Sequence, residues 1–362
     1  TARDGWDTFL PALLCGLALV TAAPSHGWLY SGGDAGGKRY SALSQINTGN
    51  VDELILAWTA RSGEHQALPP QHYERSSMQS TPILLPEAAG QHLLVCSGNN
   101  YLLALDPESG EQRWRYDPQV PLEERGLSYK CRGNAFYWED PATGPQQACR
   151  HRLFMGTLDR RLVALDARTG ELCNGFGNQG VLDLTRPEEQ GFDKPMVFST
   201  SQPVVVNGTV MIGSSILDLA YRHTPVGTIE AFDAHSGAEQ WHFNIVPRDP
   251  NDPATGSWPE YPEQHSGAAN AWAPLTADED NGLVFIPTSS PSPDFYGGHR
   301  HGDNLYSDSL VALDAKSGER VWHYQFVHHD LWDYDVPAQP ILFDYRRGDE
   351  RIPAVLQLTK QG

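Results

Sequence analysis

The chain has 362 residues, with 26 Lys and Arg against 45 Asp and Glu, so its formal net charge is −19. This acidic balance argues against DNA or RNA as a partner, because binding phosphate groups needs a basic face. The length suits two average domains or one large repetitive β domain, and either arrangement can bury a sizeable core.

An apolar run lies near the start of the chain, at residues 9–23, with Arg3 before it and small residues up to Ala23 at its end. It is shorter than the roughly 20 residues that a membrane-spanning helix needs. We expect residues 1–26 to be a secretory signal peptide, with the end of a membrane anchor as the alternative. Both predict a periplasmic protein, either soluble or anchored to the inner membrane.

Five cysteines are spread over the chain, and Cys15 lies inside the apolar run. The other four form an even set in an exported chain, where disulfides are permitted. Cys131 and Cys149 bracket a segment rich in Pro, Gly and polar residues, so we expect these two to pair. Four cysteines allow three connectivities, and buried free thiols remain an equal alternative for Cys96 and Cys173.

A short unit recurs four times: an apolar strand ending in Asp, three residues, Gly and, in three copies, a Trp four residues after the Gly. Asp can hydrogen-bond the turn backbone and Gly can adopt a positive φ, so each unit predicts two antiparallel strands joined by a tight turn. We therefore expect an all-β fold, a β-propeller or another β array, in which each Trp covers the seam between neighbouring sheets. The second copy has Asn174 instead of Trp, so its seam must be filled differently. Alanines of successive copies are 60, 67 and 81 residues apart, at Ala104, Ala164, Ala231 and Ala312.

Turn signals continue between these copies. Two β-branched runs flank Asn207-Gly208, which is the strongest short signal for a hairpin. A second turn of this kind ends at Gly282 and leads into another strand. Long polar segments, which we expect to be functional or covering loops, lie at 119–150, 246–271 and 289–308.

The segment 328–335 holds two His, one Trp and three Asp within eight residues. Clustered carboxylates need hydrogen-bond donors, a cation or a proton to offset their repulsion, and a general base or a metal site supplies such an offset. We therefore take 328–335 as a candidate catalytic segment, the alternative being an Asp-rich loop whose aromatic residues fill a core edge. His299 and His301 have a spacing that could suit a transition metal, but two His without further ligands are more often surface residues.

Several motifs together resemble the pyrroloquinoline quinone (PQQ) dehydrogenases, most closely the membrane-bound glucose dehydrogenase branch. They are the opening segment 30–58, the Trp-bearing repeats, Cys131-Arg132-Gly133, and the segments 270–274 and 328–340. The likeness runs from about residue 27 to residue 362. That family closes an eight-bladed β-propeller, so residues 27–362 resemble its N-terminal part, about half or somewhat more of the blades.

The resemblance implies a role for each of five residues. Asp333, which follows the Trp of its motif, matches the catalytic base of the family. Trp272 matches the indole on which the PQQ ring stacks, and Lys360 matches the cation that hydrogen-bonds the reactive quinone oxygens. Arg132 matches a second cation at the rim of the cofactor, and Thr200 matches a hydroxyl that contacts it. Without the resemblance, Trp272 would be an ordinary core residue, Lys360 a surface residue and Thr200 a residue in a turn.

The family also holds Ca²⁺ or Mg²⁺ through oxygen ligands. Asp218 and Asp333 match as ligands, with a solvent-facing Asp218 as an equal alternative. One position departs from the pattern, because the glucose branch carries a His three residues before the Cys of this motif, where the chain has Ser128. That departure bears on the sugar specificity more than on the cofactor.

The implied activity is PQQ-dependent oxidation of a sugar or polyol hydroxyl. Asp333 would take the hydroxyl proton while hydride passes to the quinone. The expected partners are a small-molecule substrate and, as electron acceptor, ubiquinone in the membrane or a cytochrome. The alternative is a non-enzymic envelope β-propeller that binds proteins through its loops, which explains the repeats equally well.

Overall fold

The computed structural model describes residues 28–74, 76–121, 129–133, 136–192, 195–218, 221–259 and 267–362. The expected leader at 1–26 and Ser128 lie outside the described residues. Within these ranges the regular secondary structure is almost entirely β, as predicted. Its helical elements are α1 (Glu64–Ala67), α2 (Pro70–Tyr73) and four short 3₁₀ turns at Val51–Glu53, Glu87–Ala89, Pro187–Glu189 and Pro253–Ser257. None of the helices in this part of the chain has the length and apolar character that crossing a bilayer requires.

The strands are short and follow one another from Ser76 to Leu356. In chain order they are β1 (Ser76–Met78), β2 (Ile83–Leu84), β3 (Leu93–Cys96), β4 (Leu102–Leu105), β5 (Gln112–Tyr116), β6 (Tyr129–Cys131), β7 (Phe136–Glu139), β8 (His151–Gly156), β9 (Arg161–Asp166), β10 (Val181–Asp183), β11 (Val197–Phe198), β12 (Val204–Val206), β13 (Thr209–Gly213), β14 (Ser215–Ile216), β15 (Thr228–Asp233), β16 (Glu239–Asn244), β17 (Thr276–Asp278), β18 (Leu283–Pro287), β19 (Ser309–Asp314), β20 (Arg320–Gln325), β21 (Ile341–Arg347) and β22 (Glu350–Leu356).

Four antiparallel sheets of four strands each are present in the described ranges, and we call them blades 1 to 4. Blade 1 is β2-β3-β4-β5, blade 2 is β7-β8-β9-β10, blade 3 is β12-β13-β15-β16 and blade 4 is β17-β18-β19-β20. Strands β21 and β22 form a further hairpin, and β1 pairs with β6 and β11 with β14 in small ladders. Each blade is a meander, which is the repeating unit of a β-propeller.

The hydrophobic core lies between neighbouring blades. One buried cluster joins blades 1 and 2 and includes Leu94 and Leu153. A second joins blades 2, 3 and 4 and includes Phe154, Met211 and Val284. Because inner strands are covered on both faces, they are apolar at nearly every position, whereas the fourth strands keep exposed residues.

The repeated Asp and Gly build the same turn in each blade. In blade 1 the Asp106 carboxylate accepts the backbone N–H of Ser109 at 2.8 Å. Gly110 has a φ of 73°, a conformation that side chains with a Cβ rarely adopt. The same carboxylate-to-turn hydrogen bond recurs in the other three blades. The predicted turn chemistry of the repeat is therefore confirmed.

Tryptophans pack on the turn glycines of following blades. A Cβ built on Gly170 of blade 2 would lie 2.5 Å from the ring of Trp114 in blade 1. Trp58 lies in the same way against Gly110, where a Cβ would lie 2.4 Å from its ring. Only glycine leaves room for these rings, so the prediction that Trp covers the seam is confirmed.

The seam between blades 2 and 3, where Asn174 replaces the Trp, is closed by polar contacts. The N–H of Gly177 donates to the carbonyl of Ser236 at 2.8 Å. The buried Arg152 side chain donates to the carbonyls of Ala234 and His235 in blade 3, at 2.9 and 2.7 Å. It also forms an ion pair of 2.8 Å with buried Asp140. This seam is filled differently from the others, as predicted.

Two disulfides join Cys96 to Cys131 and Cys149 to Cys173. The predicted Cys131–Cys149 pair is therefore wrong, as is the free-thiol alternative for the other two cysteines. The segment between Cys131 and Cys149 is not a plain loop, because it contains β7, the first strand of blade 2. The N–H of Cys149 donates to the carboxylate of Asp166 at 2.5 Å, which holds it beside the turn that leads to Cys173.

Candidate active site

Three residues predicted for the site occupy the same place in successive blades. Arg132, Thr200 and Trp272 each lie four residues before a first strand, namely β7, β12 and β17. Strand β12 contacts both β7 and β17, so the three residues gather at one end of the blades. The Arg132 N–H donates to the Thr200 carbonyl at 2.9 Å, and the Ser201 hydroxyl donates to the Trp272 carbonyl.

The Arg132 side chain connects two of these blades. Its Nη1 donates to Oγ1 of Thr200 at 2.5 Å, and its guanidinium carbon lies 4.3 Å from the centroid of the Trp272 ring, within range of a cation–π contact. Burial lowers the pKa of Arg132 to about 10, and the charges of Asp335 and Asp218 oppose that shift. The guanidinium remains positive at neutral pH and faces a group of carboxylates.

Asp335 lies at the centre of this group. Its Oδ2 accepts the indole N–H of Trp272 at 3.0 Å, and its Oδ1 accepts the backbone N–H of Ser290 at 2.7 Å. Lys360 Nζ lies 3.8 Å from the same Oδ2 and 3.4 Å from Oδ1 of Asp333. Burial and the neighbouring Asp333 raise the pKa of Asp335, against the hydrogen bonds and the lysine charge.

The segment 328–335 forms a tight turn that presents Asp333. The carboxylate of Asp330 accepts the N–H groups of Trp332 at 3.1 Å and Tyr334 at 2.8 Å. Asp333 has a φ of 58°, and Lys360, in a turn after β22, donates to its carbonyl. The side chain of Trp332 is 68% exposed, so it does not fill a core edge.

Asp218 follows β14 and is coupled to the same charges. Burial is the main reason that its pKa is raised to about 6, and the charges of Asp335 and Asp333 add to the shift, whereas Arg132 opposes it. The carboxyl is half-buried rather than solvent-facing. Asp218 is therefore the group here whose ionisation most needs a nearby positive charge.

All six predicted site residues thus belong to one network of hydrogen bonds and charges. Asp335 interacts with five of them, and Thr200 joins the network through Arg132. His299 and His301 lie outside it, separated by the fully buried Arg300, and His301 is exposed. In the described part of the chain, no three His, Cys, Asp or Glu side chains form a preformed metal site.

Two residues of the site were not singled out from the sequence. Asp335 was one of three aspartates in a polar segment, and only its position before Val336 and Pro337 hinted that it turns inward. Ser290 ends a run of hydroxyl residues just after β18, and no sequence signal connects it to a carboxylate 45 residues away. Both roles depend on contacts between distant segments.

Comparison with known proteins agrees with this arrangement. The family described as the PQQ glucose/ethanol/alcohol dehydrogenase β-propeller domain matches residues 28–362. Quinoprotein glucose dehydrogenase A of Acinetobacter calcoaceticus is 33% identical over 95% of this chain and 43% of its own length. The glycerol dehydrogenase large subunit of Gluconobacter oxydans is 35% identical over 94% of this chain and 45% of its own. The quinohemoprotein alcohol dehydrogenase of Comamonas testosteroni superposes with a TM-score of 0.73 at 27% identity, covering 95% of this chain and 47% of that structure.

The fold and the family match define a class, the PQQ-type β-propeller dehydrogenases. The chain belongs to the PQQ-dependent dehydrogenase family. It spans less than half the length of the curated relatives it matches. The four blades and the hairpin therefore correspond to part of the fold of those relatives.

The residues present fit a flat anionic quinone and a divalent cation. PQQ carries three carboxylates and a planar ring system, which call for cations and an aromatic surface. Arg132, Lys360 and Trp272 supply these, and the Arg132 guanidinium already lies over the indole. Half-buried Asp218 offers oxygen ligands of the kind that Ca²⁺ and Mg²⁺ prefer. Asn270 adds a buried Oδ1 that accepts no hydrogen bond within the described residues.

Proposed function

We propose that this chain forms the cofactor-binding part of a dehydrogenase that oxidises a hydroxyl of a sugar or polyol, with Asp333 as the general base. The observation that carries the proposal is the network joining Asp333, Lys360, Asp335, Trp272 and Arg132. Glucose, glycerol and alcohol dehydrogenases among the similar proteins support a CH–OH donor. They do not single out one substrate, so a sugar or polyol is the class proposed.

The cofactor contacts follow from the chemistry of the side chains. Trp272 provides a flat apolar surface, and its N–H is held by Asp335, which fixes the ring. Arg132 offers a planar set of donors suited to a carboxylate, and Thr200 keeps a hydroxyl hydrogen free to donate while its Oγ1 accepts from Arg132. Lys360 reaches the reactive edge as a point charge. When bound, PQQ supplies a two-electron acceptor for the substrate hydride.

Asp333 is the residue proposed to take the substrate proton. It lies at the tip of the turn 330–334 and is about one third exposed, so a substrate can reach it. Lys360 lies between Asp333 and Asp335 and offsets the repulsion of the two carboxylates. Proton transfer to a positioned carboxylate typically contributes about 10² to 10⁴ in rate.

The proposed metal ligands are Asp218 and Asp333, with Ca²⁺ or Mg²⁺ as the ion. Support comes from Asp218, whose pKa is raised to about 6 by burial and by neighbouring carboxylates. A divalent cation would remove that penalty by neutralising the acidic group. Electrons are proposed to leave to ubiquinone or a cytochrome, from a periplasmic protein that is soluble or anchored to the inner membrane.

The test is dye reduction by the full-length protein supplied with PQQ and Ca²⁺ or Mg²⁺. Substrates would be glucose, other aldoses, quinate and polyols. Asp333→Asn should lower kcat by about 10² to 10⁴ and leave PQQ binding intact, whereas Asp349→Asn, at an exposed turn position, should change neither. PQQ-dependent reduction with none of these substrates would favour a non-enzymic propeller, and full activity of Asp333→Asn would reject the assigned base.

A further inference from the structure

Behind the candidate site lies a buried cluster of carboxyl and hydroxyl groups. Asp308 and Asp330 are 0% and 1% exposed, and Ser290 is 2% exposed. The Ser290 Oγ lies 2.8 Å from Oδ1 of Asp308 and 2.6 Å from Oδ2 of Asp330. Ser290 also donates its backbone N–H to Asp335, so the cluster touches the site directly.

The hydrogen atoms in this cluster cannot be assigned with both carboxylates ionised. A serine hydroxyl has one hydrogen to donate, and an ionised carboxylate only accepts. Both short contacts of Ser290 Oγ can be hydrogen bonds only if one carboxyl group carries a proton and donates it to the serine. If no carboxyl group carried a proton, one of the two contacts would lack a hydrogen, which would cost about 1 to 3 kcal/mol of folding free energy.

Asp330 receives more hydrogen-bond donors than Asp308. Its two oxygens accept the N–H groups of Trp332 and Tyr334 at 3.1 and 2.8 Å, in addition to the contact with Ser290. Several donors directed at one carboxyl group favour its charged form. The hydrogen needed for the second contact of Ser290 therefore comes from Asp308.

Asp308 has the opposite surroundings. Its Oδ2 is buried and makes no hydrogen bond within the described residues, and the nearby hydroxyl of Ser307 donates to the Asn304 carbonyl instead. Buried Arg300 donates to the side-chain oxygen of Asn304 and to backbone carbonyls. Its charge acts on Asp308, but its free Nε makes no hydrogen bond within the described residues. Burial, and then the charge of Asp330, raise the pKa of Asp308 well above its usual value.

We propose that Asp308 is a positioning residue that stays neutral and donates a hydrogen bond to Ser290. The Ser290 hydroxyl then donates to Asp330, whose carboxylate holds the turn that carries Asp333. These two hydrogen bonds keep Ser290 in place, so its backbone N–H stays in position to donate to Asp335. Asp308 itself touches neither the substrate nor the cofactor.

The first test detects the proton itself. Infrared difference spectra of the full chain at pH 7 should contain the carbonyl stretch of a neutral, buried carboxylic acid. That band should vanish in Asp308→Asn and persist in the exposed control Asp349→Asn. A wild-type spectrum without the band, or a band that persists unchanged in Asp308→Asn, would overturn the assignment.

The second test uses the difference between an amide and a carboxylate. Asparagine can donate to Ser290 as a protonated Asp308 does, so Asp308→Asn should recover most of what Asp308→Ala loses in kcat, about 10- to 100-fold. Asp330→Asn cannot accept all three donors and should be as impaired as Asp308→Ala, both in kcat and in the urea midpoint. An impaired Asp308→Asn beside a normal Asp330→Asn would reverse the proposal.

The turnover arm of this test rests on the proposed function, whereas the infrared band and the urea midpoints do not. If the protein shows no PQQ-dependent turnover, the proposed function fails while the order of the urea midpoints still decides the role of Asp308. If Asp308→Ala does not fold, the two asparagine variants and the wild-type band decide it. Normal turnover in wild type with equal turnover in both asparagine variants would reject only the positioning role.

Discussion

The Cys96–Cys131 disulfide offers a test of how the site is held together, because Cys131 directly precedes Arg132. The bond ties the end of β6 to β3 of blade 1. Replacing both cysteines by alanine should release the segment that carries the Arg132 guanidinium. The second disulfide, Cys149–Cys173, lies at the turn of blade 2 and is a matched control.

The expected losses of stability are similar for the two disulfides. The sequence separations are 35 and 24 residues, and the chain-entropy relation gives about 4 and about 3.5 kcal/mol respectively. Their effects on cofactor binding should differ. Losing one charge-assisted hydrogen bond from Arg132 costs about 1.5 to 3 kcal/mol, which corresponds to roughly 10- to 100-fold in Kd for PQQ.

Urea unfolding and PQQ titration of the two double-alanine variants measure both quantities. We expect comparable drops in the free energy of unfolding, and a raised Kd only when the Cys96–Cys131 bond is removed. Equal weakening of PQQ binding in both variants would mean that the loss follows general destabilisation. Unchanged binding in both would mean that Arg132 is positioned by Thr200 and Trp272 without help from the disulfide.

Two further predictions concern the seams between blades. Gly318→Ala should destabilise the protein by about 2 kcal/mol more than Gly348→Ala. Both glycines have positive φ, but only a Cβ at Gly318 would meet a ring, that of Trp241 at 2.5 Å. Equal urea midpoints of the two variants would refute this packing. Asp140→Asn should cost about 3 kcal/mol at pH 7 by breaking a buried pair. Burial raises the pKa of Asp140, but hydrogen bonds led by that of His235 outweigh it and lower the pKa overall. The difference in unfolding free energy between wild type and Asp140→Asn should therefore shrink below about pH 4. A difference that does not change with pH would contradict this.

The strand order within each blade could be predicted because the chemistry of the turn is local. An Asp carboxylate that bonds an N–H three residues on, as Asp106 does with Ser109, needs no information from elsewhere in the chain. The same holds for the hairpin at Asn207-Gly208, where both residues have positive φ and join β12 to β13. Elements specified by neighbours in sequence were therefore predicted correctly.

The disulfide pairing and the role of Asp335 could not be predicted in this way. Cys131 is positioned by the parallel pairing of β6 with β1, a contact between segments about fifty residues apart. Asp335 receives its donors from Trp272 and Ser290, 63 and 45 residues away. Polar composition alone marked the segment 328–335, but it did not separate Asp335, which holds the indole, from Asp333, which is proposed as the base.

A site built from loops can nevertheless be well defined when the loops occupy equivalent places in a repeat. Arg132, Thr200 and Trp272 share an offset of four residues before a first strand, and the same offset before β21 falls at Pro337, next to the segment with Asp333 and Asp335. Since β12 contacts both β7 and β17, residues at this offset converge because the blades repeat. The repeat places three different side-chain chemistries around one point, and hydrogen bonds such as that from Trp272 to Asp335 then fix their orientation.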